Sequence, residues 1–224
     1  SLITDGFAGV ANIQGEVSNI TNIIAGGVLG NQEGLYALNE VTTDEYIVAT
    51  RGTDWGDNGR WLAMHTMTWN PELFDIVTAW QQLNSITINA TRVINDKSVN
   101  TASGDVVVLK AQARFYRAWA MSWILDMWRQ VPFRDVDLPN SAIPEVFTGQ
   151  EAIDFIAADL TEAIADLSDV TAGSGIDLKS SPTKASANFL LAKLYLNKHV
   201  YLGTSPETND MQTVIDAVDA IAAS

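Results

Sequence analysis

The segment from about Asp105 to Trp128 carries apolar side chains around its whole circumference at helical spacing. Val108, Phe115, Ala118 and Trp119 lie on one side, and Tyr116, Trp123, Ile124 and Met127 on another. A helix that is apolar all round has to be covered on more than one face, so it predicts a central helix in a domain with other helices packed against it. The neighbouring segments supply candidates. After Asn70-Pro71-Glu72, a cap followed by a first-turn proline, Leu73, Ile76, Val77, Trp80 and Leu83 recur with helical period. Thr148-Gly149-Gln150-Glu151 fits a capping box ahead of the stripe Ile153, Ile156, Ala157, Leu160, Ala163, Ile164 and Leu167, with Asp154, Asp159, Glu162 and Asp166 off the stripe. Beyond the loop Ala172-Gly173-Ser174-Gly175, Ser181-Pro182 supplies the cap and first position of a helix with Ala187, Leu190, Leu191 and Leu194 on one face. A last helix carries Met211, Val214, Ile215, Val218 and Ile221, and the chain ends within its pattern, which reads as truncation at the C-terminus.

The expected class is all-α. Helices over 70–96 with 105–128, then 148–168 with 182–199, suggest tetratricopeptide-like helix pairs behind an irregular N-terminal loop region. The whole of 1–224 is read as a single domain, with the irregular region at about 40–70 and helix pairs at about 70–130 and 148–200. Ile13 to Ile24 is a candidate helix broken at Gly26-Gly27, and Leu35 to Leu38 starts another. Trp80, Trp119 and Trp123, at apolar helical positions, are expected in the core.

Charge and composition narrow the function. A net charge of −14 repels phosphate backbones, so nucleic acid is not an expected partner. The absence of cysteine removes disulfides, thiolate metal sites and cysteine nucleophiles. No stretch is long and apolar enough for a membrane-spanning helix, and Ser1-Leu2-Ile3-Thr4-Asp5 lacks the pattern of a signal peptide. His65 and His199 have no ligand spacing and read as ordinary polar or half-buried residues. Asp54, Asp57 and Asn58 beside Gly59 offer oxygen ligands on a loop, but the spacing of a calcium loop is missing and turn formation is the simpler account. No acid pair is marked out for glycoside hydrolysis, and no nucleophile elbow, phosphate loop or zinc-protease motif is present. No catalytic residue, metal or cofactor is expected, and binding is favoured over catalysis.

The residues that suggest binding lie in Arg51-Gly52-Thr53-Asp54-Trp55-Gly56-Asp57-Asn58-Gly59-Arg60-Trp61. Exposed aromatic rings stack on the apolar faces of sugars, while Arg, Asn and Asp bind hydroxyls, and sites of this kind combine a flat platform with a few placed polar groups. Two readings stay open: an aromatic platform on Trp55 and Trp61, or a loop that tucks both rings into a satellite cluster.

Several segments resemble one family. Ala113-Arg114-Phe115-Tyr116-Arg117-Ala118-Trp119-Ala120, followed by Trp128-Arg129-Gln130-Val131-Pro132-Phe133, is similar to the "A-x-F-x-R-A-x-A-Y" helix and aromatic-Gly-Asp-Val-Pro turn of the SusD/RagB family, with Arg129-Gln130 in place of Gly-Asp. Leu38 to Glu45 resembles its "N-E-x-x-x-D-E" segment, and Trp80 with Asn89 its "W-x-x-x-Y-x-x-I-x-x-A-N" helix. Ile156-x-x-Asp159-Leu160-x-x-Ala163 resembles "I-x-x-D-L-x-x-A", and Thr183-Lys184-Ala185-Ser186-Ala187 with Leu190 to Leu196 resembles "T-K-x-A-A-x-x-L-L-A-R-V-Y-L". The resemblance covers residues 35–200 in the family's order.

The resemblance implies a starch-binding-type outer-membrane lipoprotein exposed at the cell surface. Such a protein binds oligosaccharide or polysaccharide, is not an enzyme, and forms the lid of a SusC-like TonB-dependent transporter. Members run to roughly twice this length, so the chain is expected to be the N-terminal portion, without the lipidated cysteine. The resemblance also places a ligand loop after the "D-E" segment, which makes Arg51, Asp54, Trp55, Asp57, Asn58 and Trp61 the expected glycan-binding residues. The alternative is a helical-repeat module that binds protein or peptide and no sugar.

Overall fold

The computed structural model describes residues 7–98, 103–139, 141–169 and 181–223. The first residues and the loop at Ala172 to Gly175 lie outside them. The chain divides into two compact units, one of Ser1–Ile20 with Ile86–Ser224, the other of Thr21–Ser85.

The larger unit is helical: α5 (Gly104–Trp128), α6 (Gly149–Asp166), α7 (Lys184–Leu202) and α8 (Thr208–Ala222), together with most of α1 (Ile13–Asn22) and the second half of α4 (Phe74–Ile94). Consecutive helices α5, α6, α7 and α8 pack side by side, each covering an apolar face of the one before it. The α6 stripe forms as its spacing predicts, with Ile153, Ile156, Leu160, Ala163 and Leu167 buried. On α5 the fully buried positions are mainly small or flexible: Ala113, Ala118, Ala120, Met121, Ile124 and Leu125. Small residues let neighbouring helix backbones approach. That is why the bulky Trp119 and Trp123, expected in the core, are only half-buried; Trp80 is half-buried too.

Asp159, assigned by periodicity to the polar side of α6, is buried. Its carboxylate accepts from Arg117 Nε and Nη2, both at 2.7 Å, and Arg117 Nη1 donates to Thr91 Oγ1 on α4 at 3.2 Å. A buried charge persists only when paired and hydrogen-bonded, and this pair satisfies both conditions.

Three local features differ from the sequence reading. The segment after α5 continues as β1 (Gln130–Phe133), paired antiparallel with β2 (Glu145–Thr148), so Pro132 opposes Val146. Proline is tolerated there because each strand of a two-stranded ribbon has a free edge. Thr148 makes no side-chain cap. Its backbone is extended and committed to Gln130, and Gly149 turns the chain into α6 at φ +49°. The capping box forms instead at α7, where the cap is Thr183 and not Ser181, and the first helical residue is Lys184 and not Pro182: Thr183 accepts from Ser186 N and Ser186 Oγ accepts from Thr183 N. Finally, Asn70 closes a local turn by accepting from Glu72 N at 2.9 Å, and α4 starts only at Phe74.

The smaller unit holds a π-helical stretch Ile23–Leu29, α2 (Leu35–Glu40), a 3-10 turn Asp57–Gly59, α3 (Arg60–His65) and the first half of α4. Val28, Leu35, Ala37, Leu38, Val41, Trp61, Met64, Ala79 and Leu83 are its buried apolar residues. The all-α class holds, with the β1–β2 ribbon the exception among the described residues.

Candidate functional site

The loop between Thr50 and Trp61 is built from tight turns. Arg51 and Asp54 exchange both backbone hydrogen bonds at 3.0 Å, which closes a small hairpin around Gly52 at φ +63°. Thr50 Oγ1 donates to Trp55 O at 3.4 Å. The chain then takes positive φ at Trp55 (60°) and, after the right-handed Gly56, at Asp57 (38°), Asn58 (53°) and Gly59 (81°). Asp and Asn tolerate this conformation, and Gly prefers it; a bulky Trp does not. A non-glycine residue held there costs about 1–3 kcal/mol and persists only where its surroundings impose it.

Those surroundings are visible. Trp61, in the first turn of α3, is 3% exposed, and its Nε1 donates to the Asp57 carboxylate. The Trp55 ring lies 5.7 Å from the Trp61 ring, tilted by 58°, and remains 42% exposed. The Arg60 guanidinium sits 4.3 Å from the Trp61 ring centroid.

Of the six residues expected from sequence, Trp61 contacts both Trp55 and Asp57, Arg51 and Asp54 are bridged through their backbones, and Asn58 directly follows Asp57 in the 3-10 turn. Arg51, Asp54, Trp55, Asp57 and Asn58 are exposed and Trp61 is buried. The two tryptophans therefore differ: the Trp55 ring is exposed, and the buried Trp61 ring lies against it.

Sequence reasoning gave no role to Glu33 and Asp75. Arg60 reaches Glu33 at 2.9 Å and lies 3.9 Å from Asp75, whose side chain is fully buried and accepts from Gly34 N at 3.0 Å. No local spacing signals this cluster, because its members come from three separate segments.

Other features are less suggestive of chemistry. His65 and His199 are half-buried. Among the described residues no group of three or more His, Cys, Asp or Glu side chains is placed to hold a metal, and no helix is long and apolar enough to cross a membrane. In the larger unit a groove of about 280 Å³ lies between α5 and α7, lined by Phe115, Trp119, Trp123, Phe189, Lys193 and Tyr201 among others.

No protein-family model and no curated protein matches the sequence. Solved structures do match the fold. A SusD homolog from Bacteroides thetaiotaomicron superposes with a TM-score of 0.72 at 14% identity, over 98% of this chain and 42% of the other. A laminarin-binding SusD-like protein gives a TM-score of 0.68 at 17% identity, over 96% of this chain and 44% of the other. A crystal structure with xylogluco-oligosaccharide gives 0.70 at 18% identity, over 94% and 40%. The chain thus spans less than half the length of each of these structures. At such identities the likeness speaks for architecture, and on that ground the chain has the helical fold of the SusD-like proteins.

Proposed function

We propose that this chain is the glycan-capturing part of a cell-surface nutrient-uptake system, with the ligand seated on the Trp55 loop. The carrying observation is the exposed Trp55 ring, held in a left-handed backbone conformation against the buried Trp61, whose Nε1 donates to Asp57. A costly conformation that presents an aromatic face to solvent is the arrangement a sugar platform needs, because stacking requires a ring fixed before the ligand arrives. Arg51, Asp54 and Asn58 stand beside it as hydroxyl ligands, and Asp57 divides its carboxylate between Trp61 and solvent. Trp61 acts as the support beneath the platform. Two structural neighbours, one laminarin-binding and one solved with a xylogluco-oligosaccharide, support a β-glucan-type oligosaccharide as the first ligand to try.

The same reading takes residues 1–224 as one SusD-like portion with its ligand loop within about 40–70. It assigns the protein to the outer face of an outer membrane through a lipid anchor, as the partner of a SusC-like TonB-dependent transporter. These assignments rest on the sequence resemblance. A protein- or peptide-binding module is the second reading, and the aromatic groove between α5 and α7 is the observation that favours it.

The test is titration with laminarin and xyloglucan oligosaccharides, read by tryptophan fluorescence and by calorimetry. The parent protein is expected to bind and to leave the oligosaccharides uncleaved. Trp55→Ala is expected to weaken binding by about 2 kcal/mol, roughly 30-fold. Sugar binding that survives Trp55→Ala unchanged sinks the loop assignment.

A further inference from the structure

We propose that Arg60 is a positioning residue for the Trp55 platform: it fixes the ring through Trp61 without touching the ligand. The inference rests on the glycan reading for its purpose and on the geometry below for its substance.

Arg60 opens α3, one residue after the left-handed run, and its side chain is 15% exposed. Three elements converge on its guanidinium. Glu33, just before α2, pairs with Nη2 at 2.9 Å. Asp75, in the first turn of α4, has its Oδ2 3.9 Å from Nε, and neither of these two buried atoms has a hydrogen-bond partner in the structure. The Trp61 ring lies 4.3 Å away and the Phe74 ring 5.4 Å away.

One cation therefore faces two carboxylates and two aromatic rings. A buried or half-buried carboxylate is tolerable only near a compensating charge, so the guanidinium is held in place by electrostatics as well as by packing. A flat, delocalised cation can do both jobs at once: its edge meets carboxylates while its face meets a ring. Asp75 also accepts from Gly34 N, which ties α4 to the start of α2. The order of contact runs Gly34–Asp75–Arg60–Trp61–Trp55, from the buried part of the smaller unit outward to the exposed ring.

Lysine does not reproduce this arrangement. An ammonium group retains attraction to Glu33 and Asp75 but loses the planar face against Trp61. Arg60→Lys is therefore expected to keep most of the stability and lose the positioning. Arg60→Met loses both, leaving Asp75 buried without a neighbouring cation.

The experiment has two arms on the full chain. The first needs no ligand. The Trp55–Trp61 pair, close and tilted, contributes to near-ultraviolet circular dichroism, and its share is the difference between the parent and Trp55→Ala. Arg60→Lys is expected to lose that feature while its far-ultraviolet spectrum matches the parent; Arg60→Met is measured alongside under the same condition of an intact far-ultraviolet spectrum. If Arg60→Lys retains the feature in full, the proposal is overturned, whether or not any sugar binds. The second arm is a double-mutant cycle on affinity for the laminarin oligosaccharide. Arg60→Lys is expected to weaken binding about tenfold in the parent and less than about twofold in the Trp55→Ala background, because the two residues act through one contact chain. Equal losses in both backgrounds mean Arg60 acts independently of Trp55 and refute the positioning role. A Trp55→Ala variant with parental affinity refutes the glycan site itself, and the first arm then decides the geometry of Arg60 alone.

Discussion

Replacing Arg117 by methionine is expected to be among the most damaging single changes in the larger unit. The side chains of Arg117 and Asp159 are 8% and 6% exposed, and they meet through paired hydrogen bonds of 2.7 Å. The guanidinium also lies 5.7 Å from the Phe133 ring and 5.1 Å from the Phe155 ring, with a further bond to Thr91. Methionine fills a similar volume, so little of the loss comes from a cavity. The cost comes from Asp159, which is left buried without its cation, and breaking a buried pair from one side costs about 3–5 kcal/mol. At about 2–4 °C per kcal/mol for a chain of this size, the melting temperature should fall by roughly 6–20 °C. Urea denaturation followed by far-ultraviolet circular dichroism at pH 7 measures the difference. The companion Arg117→Met, Asp159→Leu double variant removes both charges and is expected to recover most of the loss, since well-packed apolar replacements of buried pairs are often neutral or stabilising. A single variant within about 1 kcal/mol of the parent, or a double variant no better than the single, would refute this account of the pair.

Thr183→Ala should destabilise by about 0.5–2 kcal/mol, because it removes the acceptor of the Ser186 N–H at the start of α7; Thr148→Ala should cost less, since Thr148 makes no side-chain cap. Denaturation midpoints of the two variants compare them directly. Burial, with the Asp126 carboxylate as the next cause, pushes the Tyr201 phenol up to about 12 against an ordinary 10.0. The folded state then holds this proton more tightly than the unfolded chain, so Tyr201 contributes stability that is present below pH 10 and is lost as pH rises towards about 12. Phenolate absorbance should show a late-titrating tyrosine that is missing in Tyr201→Phe, and a Tyr201→Phe protein with the same late step would contradict the assignment.

The parts of the fold legible in the sequence are those set by long periodic runs. The apolar stripe of α6 and the all-round apolar character of α5 survive because many side chains vote for the same answer. The parts that were not legible depend on partners distant in sequence. Asp159 looks like a surface acid until Arg117 is brought to it from α5. Pro132 looks like a stop until Val146 supplies the other strand. The Thr148 segment has the residues of a capping box, but its backbone is taken by the ribbon, whereas Thr183 caps with a serine at the third position, which the usual acidic signature does not anticipate. At the candidate site, the polar, glycine-rich composition marked the loop, yet composition cannot separate the exposed Trp55 from the buried Trp61. That separation depends on the left-handed backbone at Trp55 and on the bond from Trp61 to Asp57, both of which are three-dimensional facts.

The segments that carry the family resemblance fall on packing. Arg117 and Asp159, from two different motifs, turn out to be one buried pair. Ala113, Ala118 and Ala120 are buried small residues at a helix interface, and Thr183 is a cap. In the "N-E-x-x-x-D-E" segment, Asn39 and Thr42 bond back to the carbonyls of Leu35 and Leu38 within α2. These motifs therefore speak for architecture, and the ligand site proposed above lies in a loop that carries none of them. The two sets of residues should then come apart in experiment. Folded Arg117→Met protein, kept well below its melting temperature, should bind the laminarin oligosaccharide about as well as the parent, while Trp55→Ala, whose exposed ring contributes little to the core, should lose binding and keep the parental unfolding free energy to within about 0.5 kcal/mol. If Arg117→Met abolishes binding while fully folded, the separation is wrong, and the helical motifs would have to shape the ligand site as well as the fold.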